Sequence, residues 1–420
     1  MSVLLILAAT LLPTGTAPID LAAQRWCIDC GGPWAADAVC NILLFVPLGV
    51  ALASLRSRAS QAAVIGGLLS FLLELAQSLD LPPGRSSSFV DVLANSLGSE
   101  IGWGLFRVGP RLWQARGGRA FGLGLCWWFL GLLVLFGTAA AVQRGADSSP
   151  RLISTSPYQH SPIYGWYGGN PQLATIGASA DEQPLTILHR GSGPIVAAAD
   201  SPSETWLVRV WTAGRDTARY RRALFYLHLL GDSTPELVIS QNDGAAELLV
   251  RRRAQELGLV FPTLTLARVF GQVKEDDRID LQIGVHPARV ELTGNTGAGA
   301  RTAALDLSPA IGWTLLQSVV GIAHPLASLV ALAWLTAIFL PVSWWLTRSG
   351  NRFSIILSGT AIAVSTLGVS ALFSVAPFST RDILFVCAIG GVGIYSGRRS
   401  QAGVRQPPVP PKLPAVSRIS

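Results

Sequence analysis

Apolar runs of about 20 residues, separated by short polar segments, fill the two ends of the chain. A run of that length spans the hydrocarbon core of a bilayer as a helix. The pattern therefore predicts an α-helical polytopic membrane protein with about eight transmembrane helices in two groups. The N-terminal group is Ser2–Leu12, Val39–Leu55, Ala62–Leu79, Phe89–Phe106 and Phe121–Val142, and the C-terminal group is Pro325–Leu346, Phe353–Phe373 and Ile383–Tyr395. Ser2–Leu12 is short, so it is either a truncated span or a signal-like segment.

The middle of the chain follows a different pattern. Runs rich in β-branched and aromatic residues alternate partly between apolar and polar positions, and Gly, Asn and Asp turns separate them. These strand-like runs are Thr205–Trp211, Ala223–Leu230, Glu236–Ser240, Ala246–Arg252 and Ile279–Leu292. The pattern predicts an inserted all-β sandwich over residues 150–307 with a self-contained core. The membrane domains are then residues 1–145 and 308–397, and residues 398–420 form a disordered tail rich in Pro and Arg.

Composition and charge fix the class and the orientation. Half of the residues are hydrophobic and only 14% are charged, which is typical of a membrane protein with a soluble insert. The net charge of +7 comes from arginines that follow every second predicted span. Basic loops face the cytoplasm, so both termini are predicted to be cytoplasmic and residues 143–307 extracytoplasmic. Since no separate basic domain exists, we expect a lipid bilayer and not nucleic acid as the partner.

Polar residues interrupt three consecutive N-terminal spans at similar predicted depth. They are Asn41, then Glu74 and Gln77, then Asp91 and Asn95, with Arg85 in the connecting hairpin. Spacings of three and four residues put each pair on one helix face, and intramembrane acids are a functional-site signal. Arg85 is a natural counter-charge for the two acids, and equally a ligand for phosphate or carboxylate. The alternative is that these side chains serve only as interhelical hydrogen bonds.

The glycines on the third of these helices suggest how the helices approach one another. Gly98 and Gly102 continue the Asp91 face with a four-residue step, which favours close helix packing. Glu100 falls on the opposite face and is expected to be a separate, structural or water-facing acid.

Three motifs together resemble the VanZ-like membrane protein family over residues 1–145. They are Asn41-x-x-x-Phe45-x-Pro47-x-Gly49, Glu74-x-x-Gln77 and Gly84-Arg85-x5-Asp91-Val92-Leu93-x-Asn95-x-x-Gly98. The resemblance implies a bacterial cytoplasmic (inner) membrane location and a cell-envelope role with a link to glycopeptide antibiotic resistance. It assigns Asn41, Glu74, Gln77, Arg85, Asp91 and Asn95 to the functional cluster, and Phe45, Pro47, Gly49 and Gly98 to the structural motif.

The order of strands in the insert is similar to a concanavalin A/laminin-G-type jelly roll. The segments Glu236–Arg253 and Ile279–Asn295 carry this resemblance. It implies a domain that binds glycan or protein. The acidic strand that enzymatic relatives use on glycosidic bonds is missing from the sequence.

Other chemistry is sparse. Cys27-x-x-Cys30 lies in a predicted external loop with Cys40 nearby, and a disulfide among them, free thiols or a metal site are the alternatives. The five histidines are scattered, and no phosphate-binding loop or nucleophile elbow occurs in a suitable context. We therefore predict no metal, no cofactor and no catalytic residue.

Two functions fit these observations. The first is a non-enzymatic envelope protein that binds or moves an amphiphilic ligand such as a lipid-linked glycan, with an outward sandwich that binds envelope polysaccharide or protein. The alternative is a membrane-embedded transferase or hydrolase acting on lipid-linked envelope precursors. In that case Glu74 or Asp91 is the general base and Arg85 binds a phosphate. The oligomeric state stays open.

Overall fold

A computed structural model gives the architecture of most of the chain. It describes residues 6, 26, 33–79, 81, 87–143, 151–154, 165–166, 171–177, 186–189, 195–197, 206–213, 222–229, 235–242, 244–270, 278–286, 288–296, 299–316, 324–351 and 353–402. Between residues 151 and 236 the description is limited to the backbone of strands.

Four helices form the N-terminal part. They are α1 (Trp34–Ser54), α2 (Ala59–Ser78), α3 (Phe89–Trp113) and α4 (Gly117–Val142). The side chain of Ser88 caps α3 by accepting a hydrogen bond from Val90 N at 3.1 Å. The helices alternate in direction, so α1 and α3 begin at the end of the bundle where α2 and α4 finish.

Three helices follow the β-strands. A 3₁₀ helix (Pro309–Leu315) leads to α5 (His324–Arg348), α6 (Ser354–Phe373) and α7 (Thr380–Ala402). A π-helical stretch, Val364–Gly368, interrupts α6. Five helices are long and apolar enough to cross a membrane, namely α1, α2, α4, α6 and the part of α5 from Ser328 to Arg348.

The predicted number of eight spans is not confirmed. Helices α3 and α7 have the length to cross a bilayer, 25 and 23 residues, but they carry more charge than the other five. Of the predicted span Ser2–Leu12 only Ile6 lies within the described residues, where it is helical and packs with Phe45, Leu48 and Leu73. The predicted disordered tail lies outside the described residues from 403 onward.

Thirteen described strands form two sheets. The strands are β1 (Arg151–Ser154), β2 (Gly165–Trp166), β3 (Pro171–Gly177), β4 (Thr186–His189), β5 (Ile195–Ala197), β6 (Trp206–Ala213), β7 (Arg222–Leu229), β8 (Pro235–Asn242), β9 (Ala245–Val250), β10 (Thr263–Leu266), β11 (Arg278–Val285), β12 (Arg289–Thr296) and β13 (Gly299–Asp306). The first sheet has the order β10-β9-β8-β7-β1-β5, with β2 parallel to β7, and the second has the order β13-β12-β11-β6-β3-β4. All other neighbours are antiparallel. The predicted jelly-roll type stays a prediction.

One predicted strand was wrong. Ile279–Leu292 is a hairpin, in which β11 and β12 pair from Val285 opposite Val290. His286 N donates to Arg289 O at 2.8 Å and closes the turn. The residue after His286 in the sequence is a proline, which has no N–H to contribute to a strand ladder.

The core of the β-insert (residues 151–306) is continuous with the helices, so the prediction of a self-contained core was wrong. Leu248 of the first sheet and Ile283 of the second belong to one buried cluster. The same cluster contains Leu135 of α4, Phe339 of α5 and Phe378 before α7. The insert therefore buries apolar surface against α4–α7 as well as between its own sheets.

A turn between β9 and β10 joins the insert to two helix ends, and we call residues 253–258 the capping turn. Ala35 N and Ala36 N at the start of α1 donate to Gly258 O at 2.9 and 3.1 Å. At the end of α4, Ala141 O accepts from Ala254 N at 2.8 Å. Helix ends carry unpaired backbone donors and acceptors, and one turn satisfies both kinds here. The insert therefore lies at the end of the bundle where α1 begins and α4 finishes, the insert side.

At the opposite end of the bundle, Arg348 joins α5 to the end of α3. Its guanidinium donates to Ala115 O at 3.1 Å, to Gln114 O at 3.2 Å and to Ser400 Oγ. Arg348 is buried, and in the described part of the chain no carboxylate pairs with it. Its partners are the carbonyls beyond a helix C-terminus, which attract a cation.

Candidate functional site

Helix α3 lies between α1 and α2, and its contact with α1 is close enough that three positions accept only glycine. A Cβ at Gly49 of α1 would overlap the carbonyl oxygen of Ser99, and a Cβ at Gly98 would overlap that of Ile42. A Cβ at Gly102 would likewise overlap the backbone of the next turn of α1. The predicted close approach at Gly98 and Gly102 is confirmed, and the partner is α1.

An adjoining face of α3 meets α2 mainly through polar side chains. We call this contact the polar seam; it consists of Gly66, Ser70, Glu74 and Gln77 on α2 and of Ser88, Asn95 and Ser99 at α3. All seven are buried. The α2 members recur at intervals of three or four residues and therefore form one stripe along that helix.

Asn95 occupies the middle of the polar seam. Its Nδ2 donates to Ser70 Oγ at 2.8 Å, and its backbone oxygen accepts from Ser99 Oγ at 3.1 Å. Its side-chain oxygen Oδ1 is buried, and no donor in the described part of the chain reaches it. The seam therefore contains one open hydrogen-bond acceptor.

Glu74 lies one turn closer to the insert side and binds the start of α3. Its side chain is almost fully buried, and Oε2 accepts from Ser88 N at 2.8 Å. The N-terminal end of a helix carries partial positive charge, which stabilises a nearby carboxylate. Glu74 therefore has a neutral backbone group as a partner. The counter-charge of Arg85 stays a prediction from the sequence.

The remaining predicted site residues have different positions. Asp91 is half-buried in the first turn of α3, and Asn41 is half-buried in α1, where its side chain makes no hydrogen bond to another described residue. Arg85 lies outside the described residues, so its pairing with the acids stays a prediction. Of the structural motif, Phe45 is fully buried whereas Pro47 is exposed.

Sequence reasoning missed several members of the site. Ser70 lies four residues before Glu74 and Ser99 four residues after Asn95, so helical spacing was a usable signal for both. Trp26 gave no such signal. Its backbone N donates to Ser87 Oγ at 3.0 Å, and its ring lies 4.9 Å from that of Phe89 and 5.6 Å from that of Phe71. Trp26 therefore covers the insert-side end of the polar seam.

The cysteines and potential metal ligands add no second site. Cys40 is a free thiol in α1, and its Sγ lies 3.5 Å from Leu316 O. Cys27 and Cys30 lie outside the described residues, and their disulfide stays a prediction. Within the residues that the structure describes, no three His, Cys, Asp or Glu side chains are grouped so that they could hold a metal ion.

Comparison with known proteins gives a match for the N-terminal block alone. Residues 7–112 match the model of the VanZ/LLP1 family. The match covers about a quarter of the chain and ends within the last turn of α3, so it includes the whole polar seam. It supports the VanZ-like character of this part, and the jelly-roll resemblance of the insert is not confirmed. Searches of curated proteins and of solved structures gave no match.

Proposed function

We propose that this protein is a multi-pass cell-envelope protein whose polar seam binds, and helps to move, an amphiphilic ligand such as a lipid-linked glycan. The observation that carries the proposal is the buried side-chain oxygen of Asn95, which has no donor among the described residues. A buried acceptor without a partner costs about 1–3 kcal/mol. A hydroxyl or amide group of a bound ligand would remove that cost.

The environment of this oxygen supports an amphiphile. The seam lies between two helices of a membrane bundle, and exposed apolar side chains such as Leu68, Leu72 and Leu93 cover the outer surfaces of α2 and α3. A ligand with lipid chains can stay in the bilayer along those surfaces while its polar part enters the seam. A fully polar ligand in solution would gain nothing from these apolar outer surfaces.

The orientation proposed for the bundle follows from its arginines. Arg56, Arg58, Arg116 and Arg348 all lie at the bundle end opposite the capping turn. With the positive-inside rule this supports a cytoplasmic position for that end, an extracytoplasmic position for residues 143–307, and two cytoplasmic termini. The proposed membrane is the bacterial inner membrane, where the insert would meet envelope glycans or proteins.

Catalysis is less well supported than binding. A general base must reach the proton that it removes from the substrate, and Glu74 is almost fully buried with Oε2 already bound to Ser88 N. Asp91 is better exposed, but the described residues include no group of His, Cys, Asp or Glu that could hold a catalytic metal ion. Binding of the ligand without turnover therefore fits the site better.

Lipid mass spectrometry on the full chain in native membrane discs tests the proposal. Wild type, Asn95→Leu and Ser70→Ala are purified in parallel and their co-purifying lipids compared. Both variants lose the Asn95–Ser70 hydrogen bond, but only Asn95→Leu removes the open oxygen. We expect a lipid-linked glycan enriched with wild type and with Ser70→Ala, and depleted at least five-fold with Asn95→Leu.

Equal lipid profiles for the three proteins would contradict the proposal. Equal depletion by both variants would show that the hydrogen bond between α2 and α3 is what matters, which is the structural alternative. Size-exclusion profiles of both variants give the necessary control for folding.

A further inference from the structure

A cavity lies outside the polar seam, where the β-insert meets the insert-side ends of α5 and α7. It encloses ≈ 220 Å³. Its walls come from β10, β13, the 3₁₀ helix, α5 and α7, and the residues that matter for its chemistry are Thr263, Trp313, Thr314, Ala331, Arg381 and Asp382. Drug-sized ligands use cavities of about 300–1,000 Å³, so this one fits a single ring-sized group.

The hydroxyl groups in this cavity are oriented as acceptors. Thr263 Oγ1 donates its proton to Phe261 O at 3.1 Å, and Thr314 Oγ1 donates to Ile311 O at 2.7 Å. A hydroxyl has one proton and two lone pairs, so both threonines have only lone pairs left for a ligand. A ligand that binds to the hydroxyls of Thr263 and Thr314 must therefore bring hydrogen-bond donors, whereas Thr265, Trp313 and Arg381 complete the polar part of the lining.

The charged residues of the cavity form a neutral pair. Arg381 Nη2 lies 3.6 Å from Asp382 Oδ1, and the other carboxylate oxygen of Asp382 accepts from Ser379 Oγ at 2.6 Å. Arg381 also extends toward Ser328 Oγ and lies over the ring of Phe385. A phosphate would have to share Arg381 with the Asp382 carboxylate, which repels it. A cation would be repelled by Arg381 itself. The pair therefore favours a neutral ligand.

The rest of the lining is apolar. Phe261, Leu305, Ile311 and Ala331 line the cavity together with Trp313. A flat ring with hydroxyls at its edge matches a site with apolar walls and a few polar groups. Within one helical turn of lining residues, Leu329 of α5 and Leu384 of α7 are well exposed, at 59% and 64%. An alkyl chain attached to the ring can lie along these two residues in the bilayer.

From these four observations we propose that the cavity binds the neutral sugar ring of a glycolipid at the membrane surface. The inference deepens the proposed function and rests on it for the amphiphilic nature of the ligand. It gives the headgroup a site formed jointly by insert and bundle. This role would explain why the two share a core, since a joint site requires a fixed distance between its walls.

Photolabelling of the full chain in lipid nanodiscs tests the inference. The probe is a dodecyl β-glucoside with a photoreactive group on the sugar, and labelled peptides are identified by mass spectrometry. We expect labels within residues 259–266, 305–316 or 380–385. Unlabelled dodecyl glucoside should compete, whereas dodecyl phosphate should not. Free glucose should compete only at far higher concentration if the chain contributes to binding.

Matched variants separate a site from a passive crevice. Thr314→Val and Asp382→Asn each remove one acceptor or its charge, and each should reduce labelling about 2- to 12-fold, which is the range for one hydrogen bond. Thr302→Val is the control, because Thr302 is an exposed threonine of β13 outside the cavity. Ala331→Leu fills the cavity and should abolish labelling. If this variant misfolds, the comparison of Thr314→Val with Thr302→Val still tests the inference.

Four results would overturn the inference. Three of them are labelling that no competitor reduces, competition by dodecyl phosphate as strong as by the glucoside, and equal labelling of Thr314→Val and Thr302→Val. Labels confined to α2 and α3 and lost in Asn95→Leu would also overturn it, but would leave the proposed function intact. Labels at the cavity that persist in Asn95→Leu would support the cavity independently of the polar seam.

Discussion

The two helical regions of this protein are held together by different means. Helices α1–α3 meet through glycines that allow backbone contact, and through buried serine, asparagine and glutamate side chains. Helices α4–α7 also have glycine contacts, such as Gly393 of α7 against Ser343 of α5, but they add large apolar side chains in a cluster that continues into both sheets. The apolar cluster of the first region is small, with Phe45 and Leu73 among its members.

From this difference we infer that helices α1–α3 are suited to binding a polar group, and that helices α4–α7 are suited to stabilising the fold. In a membrane, apolar side chains gain little by leaving lipid for protein, so small residues and hydrogen bonds carry helix association. Helices α1–α3 follow that rule. Helices α4–α7 add apolar packing in a cluster that they share with the insert. The family match ends where the first region ends.

The largest expected effect comes from Gly49→Ala, which tests the backbone contact of the first region. The added methyl would overlap the Ser99 carbonyl, and such overpacking costs about 1–3 kcal/mol or more. Hydrogen exchange should accelerate in α1 and α3 and stay unchanged in α5. Gly104→Ala is the control, since a Cβ there meets nothing within 4 Å. Uniform acceleration in all helices would mean that the two regions unfold as one.

A smaller effect is expected from Gly258→Ala, which tests the link between the regions. Gly258 has φ +66° and a Cβ there would lie 2.5 Å from Trp34 Nε1. Gly350 has φ +73° with open space around it, so Gly350→Ala reports the backbone strain alone, about 1–2 kcal/mol. We expect Gly258→Ala to lower the unfolding midpoint further and to expose the start of α1 to exchange. Equal midpoints would show that Trp34 simply moves aside.

The smallest structural effect is expected from Glu74→Gln and Asp91→Asn. Glutamine can still accept from Ser88 N, so only the charge near the start of α3 is lost, about 0.3–1 kcal/mol. A ligand site predicts normal membrane abundance with lost survival under envelope stress. Glu100→Gln on the exposed face of α3 is the control. Normal survival of both variants would show that the polar seam serves only in helix packing.

Much of the helical architecture was predictable because long apolar runs have few alternative structures. The predicted span Phe353–Phe373 differs from α6 by one residue at its start. Strands were harder, because alternation continued through the turn at His286 and concealed it. The shared core was beyond prediction, since an apolar side chain facing a helix has the same sequence signature as one facing a second sheet.

Three residues of the polar seam, Glu74, Gln77 and Asn95, were predicted from the sequence, but their contacts were not. Helical spacing correctly put Glu74 and Gln77 on one buried face. The partner of Glu74 is a backbone N–H of Ser88, and a backbone group has no sequence signature. The open oxygen of Asn95 depends on how far α2 and α3 lie apart, which is a property of packing. Arg85, the residue with the strongest sequence rationale, falls outside the described residues.

The capping turn also has a consequence for biosynthesis. Gly258, which completes the start of α1, leaves the ribosome about 220 residues after Ala35. At translation rates of about 5–20 residues per second, that is a delay of roughly 10–45 seconds. During this interval α1–α3 can assemble around their glycines, but the first turn of α1 lacks its acceptor. The nascent chain thus passes through a stage in which the polar seam exists before the insert that faces it, and a membrane chaperone would meet the protein in that form.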